Sequence, residues 1–238
     1  MSSLYLIRHG QAGTRGHYDA LSDLGRRQAY LLGQHLAEQK VPFKAFVAGC
    51  LNRQRQTAEE VWRAYREAGM AVPDVESDAN WNEFDMTGVF SEFAPLLSEA
   101  DPKFRQDYQE LLRKLEDADS PIHQAWTDCD TQAMRAWMEG RYPCRTESWA
   151  AFRQRVLGAR APLGAYQPGD AVAIFTSATP ISIWVAAALG VSHGKIMPLA
   201  GVMYNSAVTT MRLRDGEAML FSFNGVPHLN DLRLRTFR

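Results

Sequence analysis

Cysteine is scarce in this sequence, and long hydrophobic runs are absent. The 238 residues contain 3 cysteines, Cys50, Cys129 and Cys144. This odd, widely spaced set argues against a disulfide scaffold or a cysteine-based zinc site and suits a reduced cytoplasm. The longest apolar run, 181–189, has about half of the roughly 18 residues that a membrane span needs. The N-terminus lacks the basic segment and cleavage site of a signal peptide. We therefore expect a cytoplasmic protein without a membrane segment.

The sequence also lacks an excess of either charge. Lys plus Arg is 26 and Asp plus Glu is 27, which gives a net charge of -1. Dedicated nucleic-acid binders usually carry a basic excess, so we expect no nucleic-acid partner. Lysine is rare, because 5 of the 26 basic residues are Lys and 21 are Arg. Genomic base composition explains this bias, but so does anion recognition, since guanidinium binds phosphate with two parallel hydrogen bonds.

The hydrophobic pattern of the first third predicts strand, helix, strand, helix. Short apolar runs at 4–7 and 45–49 are typical of buried parallel strands. A helix is predicted after each strand, one starting with Ser22 as N-cap and one running from Leu51 to about Glu67. This alternation predicts a parallel sheet with helices packed on it.

The rest of the chain divides into a helical segment and a return to the sheet pattern. Helical spacing dominates 89–163, which we interpret as a helical insertion within a single domain spanning 1–238. A third apolar strand is predicted at 171–175, followed by a helix with Thr179 as N-cap and Pro180 as its first residue. Two strand-like runs then follow; they are 205–214 and 217–223, joined by the hairpin signal Asp215-Gly216.

The first candidate site is Arg8-His9-Gly10, directly after the first predicted strand. In open α/β sheets, ligands bind beyond the carboxyl ends of the strands. Glycine lets the backbone approach a ligand closely, imidazole is a competent nucleophile towards phosphorus, and guanidinium can hold phosphate oxygens. The other interpretation is a core histidine beside an incidental arginine.

The second candidate site follows the next strand, where Arg53 lies at the start of a helix. Backbone N–H groups at a helix N-terminus already favour an anion. Arg53 and Arg55 can also be interpreted as solvated surface charges, and for Arg55 this is the interpretation we favour.

Several ordered motifs together make the chain resemble the histidine phosphatase superfamily, which has the phosphoglycerate-mutase-like fold. The matching segments are Leu6-Ile7-Arg8-His9-Gly10, Leu51 with Arg53, Thr57 and Ala58, Leu21-Ser22 with Gly25 and Gln28-Ala29, Trp81-Asn82-Glu83-Phe84-Asp85 with Gly88, and Asn205-Ser206 with Asn224 and His228-Leu229. The resemblance implies a three-layer α/β/α sandwich with a mostly parallel central sheet and a helical insertion over the active site.

The resemblance also implies a role for each matching residue. His9 would attack phosphorus and carry the phosphoryl group, while Arg8 and Arg53 would neutralise its oxygens. Glu83 would protonate the leaving oxygen and then activate water, with Asp85 as its rival for this role. Gln11 is assigned to phosphate binding.

Two further histidines are expected near the site on family grounds, His17 and His228. The residues at 11–14 favour a phosphatase over a glycolytic mutase, since mutases of this family tend to have Ser or Thr and Trp-Asn there.

The chain departs from the family at residues 176–180. A second histidine is normal there, but the aligned residue is Ser177, or Ala178 if the match slips by one position. By analogy with an oxyanion-hole donor, its loss could cost about 2.7–4 kcal/mol in the transition state. Ser177 and Thr179 offer hydroxyls that either bind phosphate instead or only cap the following helix.

These features lead to two alternative functions. The first is a metal-independent phosphomonoesterase that acts on a small phosphorylated substrate through a phosphohistidine and has weakened activity. The second is a catalytically impaired relative that binds a phosphorylated ligand or partner without efficient turnover. The expected binding partner is a small phosphorylated substrate or inorganic phosphate. No histidine pair has metal-ligand spacing with a carboxylate, so we expect no metal and no cofactor.

Substrate choice is expected to lie with the insertion. Its large aromatic residues either line an apolar roof or form the core of the segment; they are Trp126, Trp137, Tyr142 and Trp149.

Overall fold

A computed structural model of the chain describes residues 1–13, 19–117, 119–124, 126–214 and 217–237. These residues form two compact units. The first unit contains the described residues up to Glu83 and those from Arg155 onward, and the second runs from Phe84 to Gln154. The predicted hairpin turn Asp215-Gly216 and His17 lie outside the described residues.

One six-stranded sheet organises the first unit, in the order β3-β2-β4-β1-β5-β6. The strands are β1 (Ser2–Arg8), β2 (Phe43–Ala48), β3 (Val75–Ser77), β4 (Ala171–Thr176), β5 (Val208–Arg214) and β6 (Glu217–Gly225). The first four strands of the chain are parallel, and β5 and β6 join antiparallel at one side. The predicted mostly parallel central sheet is therefore confirmed.

Helices flank this sheet and build most of the second unit. The helices are α1 (Asp23–Glu38), α2 (Asn52–Glu67), α3 (Met86–Ala100), α4 (Pro102–Glu116), α5 (Asp128–Met138), α6 (Trp149–Gly158), α7 (Arg160–Leu163), α8 (Ala178–Leu189) and α9 (Ile196–Gly201). None of the helices described is both long and apolar enough to cross a membrane.

The core of the first unit is apolar because its central strands are buried on both faces. One cluster packs α1 and α2 against the sheet, with Leu32 and Tyr65 from the helices and Phe46 and Phe175 from the strands. The rings of Phe46 and Phe175 meet edge to face with centroids 5.3 Å apart. These contacts fix the positions of β2, β4, α1 and α2 relative to one another.

The carboxyl ends of β2, β4 and β1 lie side by side because these strands are neighbours. Arg8 is in register with Thr176, and Ala48 with Phe175. The residues that follow, among them His9 and Ser177, therefore leave the sheet at the same edge.

The helix after β4 begins earlier than the sequence predicts. Its first residue is Ala178 and its N-cap is Ser177, so the prediction of Thr179 as N-cap and Pro180 as first residue is wrong. Proline fits anywhere in a first helical turn, because the N–H groups there have no intrahelical partner. Pro180 is therefore compatible with the third position. Gly190 ends the helix as predicted, with a φ of 64°.

The hairpin strands and β3 also differ from the prediction. β5 begins at Val208 and not at Asn205, since Ser206 adopts a φ of 57° that interrupts an extended strand. The pattern missed β3, which pairs with β2, because it has three residues and two of them are exposed.

An aromatic cluster forms the interior of the second unit. Phe84 stacks on Trp137 with centroids 4.7 Å apart, and Trp137 contacts Trp149 edge to face at 5.2 Å. The Trp137 indole N–H also donates to the Glu147 carbonyl at 3.0 Å. Trp137 and Trp149 are therefore core residues of this unit. Its residues overlap the predicted insertion at 89–163, and the single-domain organisation stays a prediction.

Candidate active site

The turn after β1 holds His9 by its backbone. The His9 N–H donates to the Thr176 carbonyl at 2.9 Å, and the His9 carbonyl accepts from the Ser206 N–H at 3.1 Å. The Asn205 side chain donates to the same carbonyl at 3.4 Å. β4 and the segment before β5 thus fix this residue from both sides, and its side chain is 2% exposed.

The tautomer of His9 follows from its neighbour. His9 Nδ1 lies 2.7 Å from the Gly10 carbonyl oxygen, which can only accept. Nδ1 therefore carries the proton and Nε2 has the lone pair. Burial lowers the pKa of His9 well below its usual value, and the guanidinium groups of Arg53 and Arg8 lower it further. His9 is therefore neutral at neutral pH, which is the form that can act as a nucleophile.

Gly10 must be a glycine because the backbone of α1 comes very close to it. A Cβ on Gly10 would lie 2.3 Å from the carbonyl oxygen of Gly25 in α1. The Gly10 N–H also donates to Thr57 Oγ1 in α2 at 3.1 Å. The turn carrying His9 is therefore wedged against both helices, and a side chain at Gly10 would displace it.

Two arginines flank His9 from different elements. Arg8, the last residue of β1, is 5% exposed and donates to the Met203 carbonyl. Arg53 lies in the first turn of α2 and is 7% exposed. Its guanidinium pairs with Asp19 at 3.1 Å, and the other Asp19 oxygen accepts from Asn52 at 2.9 Å. Two buried guanidinium groups near one neutral imidazole make this edge of the sheet suited to an anion.

Glu83 and Asp85 occupy different environments. Glu83 Oε2 accepts from the backbone N–H of Thr179 at 3.2 Å, in the first turn of α8. Asp85 instead caps α3 by accepting from the Gly88 N–H at 2.9 Å. The first unit thus contains Glu83 together with His9, whereas Asp85 belongs to the second unit.

The segment before Glu83 is held by Arg155. One guanidinium nitrogen of Arg155 donates to the carbonyls of Ala79 at 2.8 Å, Asn80 at 3.1 Å and Asn82 at 3.3 Å. The Asn82 side chain also accepts from the Cys50 N–H at 2.6 Å. These contacts fix the carboxylate-bearing segment to Arg155 and to the turn that follows β2.

Ser177 is buried at the end of β4 and does not cap α8 with its side chain. Its Oγ lies 2.8 Å from Gln54 Nε2. Gln54 Nε2 also donates to the Trp81 carbonyl at 3.1 Å. The alternative that the hydroxyl only caps the helix is therefore excluded for Ser177, since its partner is in α2.

The remaining predicted residues surround this centre. Gln11 Oε1 accepts from Ser22 Oγ at 2.8 Å, and the Gln11 N–H donates to Gln28 at 2.8 Å. His228 Nε2 lies 2.8 Å from Ser206 Oγ, and burial lowers the pKa of His228 to about 3, with a smaller contribution from His35. His228 is therefore neutral, and Ser206 contacts both His228 and His9.

Sequence reasoning missed Gln54, Asp19 and Arg155. Gln54 carries a signal, because it lies four residues before Ala58 on the apolar face of α2 and is nevertheless polar. The sequence gives no comparable indication for Asp19 and Arg155, since each is a charged residue near the end of a helix or in a turn, where charged residues are common.

Within the described ranges, no group of three or more His, Cys, Asp or Glu side chains could hold a metal ion. All three cysteine thiols are free.

A family model for branch 1 of the histidine phosphatase superfamily matches residues 4–140 and 114–225. The chain belongs to this superfamily. The resemblance found in the motifs is thereby confirmed, and the motif residues fall within the matched ranges except for His228 and Leu229, which lie beyond residue 225.

Curated relatives match part of the chain. The mitochondrial serine/threonine-protein phosphatase Pgam5 of Caenorhabditis briggsae is 28% identical over 127 residues, which are 46% of this chain and 45% of that protein. Pgam5 of Caenorhabditis elegans is 26% identical over the same shares. The match therefore spans about half the length of these relatives.

Solved structures of the superfamily share the fold over nearly the whole chain. YhfR of Bacillus stearothermophilus has a TM-score of 0.65 at 19% identity and covers 97% of this chain and 100% of that one. The mycobacterial glucosyl-3-phosphoglycerate phosphatase with inorganic phosphate has a TM-score of 0.60 at 23% identity, covering 95% and 98%. The phosphoserine phosphatase of Entamoeba histolytica with phosphoserine has a TM-score of 0.58 at 17% identity, covering 96% and 100%. The predicted phosphoglycerate-mutase-like fold is confirmed.

Proposed function

We propose that this chain is a metal-independent phosphomonoesterase that passes the phosphoryl group through His9. The observation that carries the proposal is the state of His9: its Nδ1–H donates to Gly10, its Nε2 has the lone pair, and two guanidinium groups lie nearby. A neutral imidazole with adjacent cations combines a nucleophile with charge stabilisation, which are the main requirements of phosphoryl transfer.

In the first step, His9 Nε2 attacks phosphorus and the bond from phosphorus to the leaving oxygen breaks. Glu83, in its protonated form, gives its proton to that oxygen, so that an alcohol leaves and the phosphoryl group stays on Nε2. The Thr179 N–H supports this role because it holds the Glu83 carboxyl group in place at the start of α8.

In the second step, water attacks the same phosphorus and the bond from phosphorus to Nε2 breaks. The Glu83 carboxylate takes one proton from the water, and inorganic phosphate leaves. Glu83 is protonated again and His9 is neutral again, so the cycle closes without a redox partner.

Five residues are proposed to hold the phosphoryl oxygens. Arg8 and Arg53 supply charge, and Ser177, Thr179 and Gln11 supply neutral donors. The amide oxygen of Gln11 already accepts from Ser22, so its amide nitrogen is the group suited to donate to an anion. Burial strengthens the interactions of the four buried residues, all except Gln11, because the local dielectric constant is lower than in water.

The substrate proposed is a small phosphorylated molecule. Solved relatives are described in complex with phosphoserine, 3-phosphoglyceric acid or inorganic phosphate. We also propose a cytoplasmic location for this chain, although the curated relatives are named as mitochondrial, and a single domain in which residues 89–163 select the substrate.

The second candidate function is binding of a phosphorylated ligand without efficient turnover. Its support is Ser177, which gives a neutral hydroxyl where the resemblance implies a histidine. A site with fewer cations stabilises the developing charge less, and turnover then falls more than binding.

The deciding experiment is hydrolysis of p-nitrophenyl phosphate in the presence of a metal chelator. We expect turnover, and we expect its loss in His9→Ala but not in His193→Ala, a matched control at an exposed histidine. Quenched reactions should contain an acid-labile, alkali-stable phosphoryl group on the wild-type protein only. Turnover that survives His9→Ala would exclude His9 as the nucleophile, and phosphate binding without turnover would favour the second function.

A further inference from the structure

We propose that Gln54 is a positioning residue that makes the Ser177 hydroxyl a donor to the transferred phosphoryl group. This inference rests on the proposed function and adds a residue to its machinery. Gln54 and Ser177 are 123 positions apart in the chain, and both are buried.

The orientation of the Gln54 amide is fixed by the Trp81 carbonyl. A carbonyl oxygen can only accept, so the atom 3.1 Å from it is the amide nitrogen. The same nitrogen lies 2.8 Å from Ser177 Oγ, and the amide oxygen faces the Leu51 N–H at 3.4 Å. Both hydrogens of the amide are therefore used, one towards Trp81 and one towards Ser177.

This arrangement determines what the Ser177 hydroxyl can do. Because the amide nitrogen has no lone pair to offer, Ser177 Oγ must accept in this pair. A serine at an N-cap would ordinarily accept from the N–H groups of its own helix, but the Ser177 side chain makes no such bond. Its single hydrogen is left to donate elsewhere.

Ser177 and His9 follow neighbouring strands at equivalent positions. Arg8 and Thr176 are paired in register, so His9 and Ser177 are the next residues on adjacent strands. Gln54 is also next to Arg53 in the first turn of α2. Ser177 therefore follows a strand that lies between the strand before His9 and the strand that leads to Arg53.

Gly49 makes the arrangement possible. A Cβ on Gly49 would lie 1.9 Å from Gln54 Oε1, so any larger residue would displace the amide. The Trp81 carbonyl also accepts from Thr176 Oγ1 at 2.6 Å. Loss of the Gln54 amide would thus leave Trp81 with a partner and Ser177 without its donor.

The test is a double-mutant cycle on p-nitrophenyl phosphate hydrolysis, with the inhibition constant of inorganic phosphate measured in parallel. Ser177→Ala should lower kcat/KM about 10²-fold, as for one lost oxyanion donor. Gln54→Met, which keeps the volume, should lower it about tenfold. In the Ser177→Ala protein, Gln54→Met should change it less than about twofold, because the two residues act as one unit.

The matched control is Gln56→Met in the same helix. Gln56 accepts from the Leu21 N–H at 2.8 Å, so its loss also removes one hydrogen bond. We expect it to lower the melting temperature without changing kcat. If Gln54→Met behaves like this control, or if its effect multiplies with that of Ser177→Ala, Gln54 is merely structural and the inference is wrong.

Two further outcomes keep the inference separate from the proposed function. If Gln54→Met does not fold, Gln54→Glu replaces it, since a carboxylate of the same shape would accept the Ser177 hydrogen and lower kcat/KM further. If the wild-type protein has no turnover, the proposed function fails, and calorimetry with inorganic phosphate takes over. Gln54→Met should then weaken phosphate binding about tenfold, and unchanged binding would overturn the inference.

Discussion

The backbone N–H of Thr179 donates to Glu83 Oε2 across 3.2 Å, which joins the first turn of α8 to a carboxylate 96 positions earlier in the chain. A helix N-terminus favours negative charge and offers N–H groups that lack intrahelical partners. Pro180, the next residue, has no N–H to offer, so the Thr179 group is the donor at this point of the turn. Glu83 is therefore positioned before any substrate binds.

The first prediction concerns Glu83 as general acid and base. Glu83→Gln should lower kcat by about 10²–10⁴-fold, since an amide can neither give a proton to the leaving oxygen nor take one from water. The amide oxygen can still accept from Thr179, so the segment should keep its place. The loss should be largest for aryl phosphates with the most basic leaving groups, which a series of substituted phenyl phosphates measures directly.

Asp85→Ala is the control for this prediction. Asp85 caps α3, so its removal should cost about 0.5–2 kcal/mol of stability in urea unfolding. We expect kcat to change less than about twofold. If instead Asp85→Ala removes the leaving-group dependence and Glu83→Gln keeps it, Asp85 is the acid.

The second prediction distinguishes the role of the Thr179 hydroxyl from the role of the Thr179 backbone N–H. Thr179→Ala keeps the N–H that holds Glu83 and removes only the proposed phosphate donor. The inhibition constant of inorganic phosphate should therefore rise about 3–10-fold, as for one neutral hydrogen bond. The dependence of kcat on the leaving group should stay as in the wild type. A changed leaving-group dependence would mean that the hydroxyl itself supports Glu83.

The edge of the sheet that carries the site could be predicted from the sequence. Wholly apolar strands are recognisable without tertiary information, and the residues that follow them must share one edge if the strands are parallel. Arg8 and His9 follow one such strand, and Arg53 begins the helix after another. Their common location is a consequence of topology, which short apolar runs predict well.

The partners of these residues could not be predicted in the same way. The contact of Gln54 with Ser177 depends on how the first turn of α2 meets the end of β4, and no local pattern encodes that distance. The predicted start of α8 is wrong for a related reason, because Pro180 is compatible with several positions in a first helical turn. A buried amide on an apolar helix face was the one visible sign.

The third prediction is that histidine cannot simply be restored at Ser177. Gln54 Nε2 lies 2.8 Å from Ser177 Oγ, and an imidazole extends well beyond that oxygen position. Ser177→His alone should therefore overpack the site, cost about 1–3 kcal/mol of stability and give no gain in turnover. Gln54→Ala combined with Ser177→His should have higher turnover than either single variant, as measured by kcat on p-nitrophenyl phosphate. Equal turnover in the single and double variants would show that Gln54 does not fill that space.

The fourth prediction is a loss of stability in mild acid caused by His9 and His228. Burial lowers the pKa of both below the usual 6.5, that of His228 to about 3, so the unfolded chain binds protons that the folded chain does not. Their contribution is complete above pH 6.5 and is lost as the pH falls towards the folded pKa values. Each residue should lower the free energy of unfolding by up to about 1.4 kcal/mol per pH unit.

The window from pH 6 to about 5 lies above the pKa values of Glu67 and Glu92 and below the usual pKa of histidine. Glu67 and Glu92 have pKa values lowered from 4.5, so their contribution is lost only below that pH. Urea unfolding at several pH values should therefore show a steep slope in the window, and His228→Leu should reduce that slope by about half.

The His228→Leu variant is also expected to be less stable at pH 7, since Ser206 Oγ loses its partner. The test therefore depends on the slope and not on the stability at one pH. A packing defect lowers the free energy of unfolding equally at every pH, whereas the loss of a titrating group reduces its dependence on pH. An unchanged slope in His228→Leu would mean that this histidine takes up its proton without unfolding the chain.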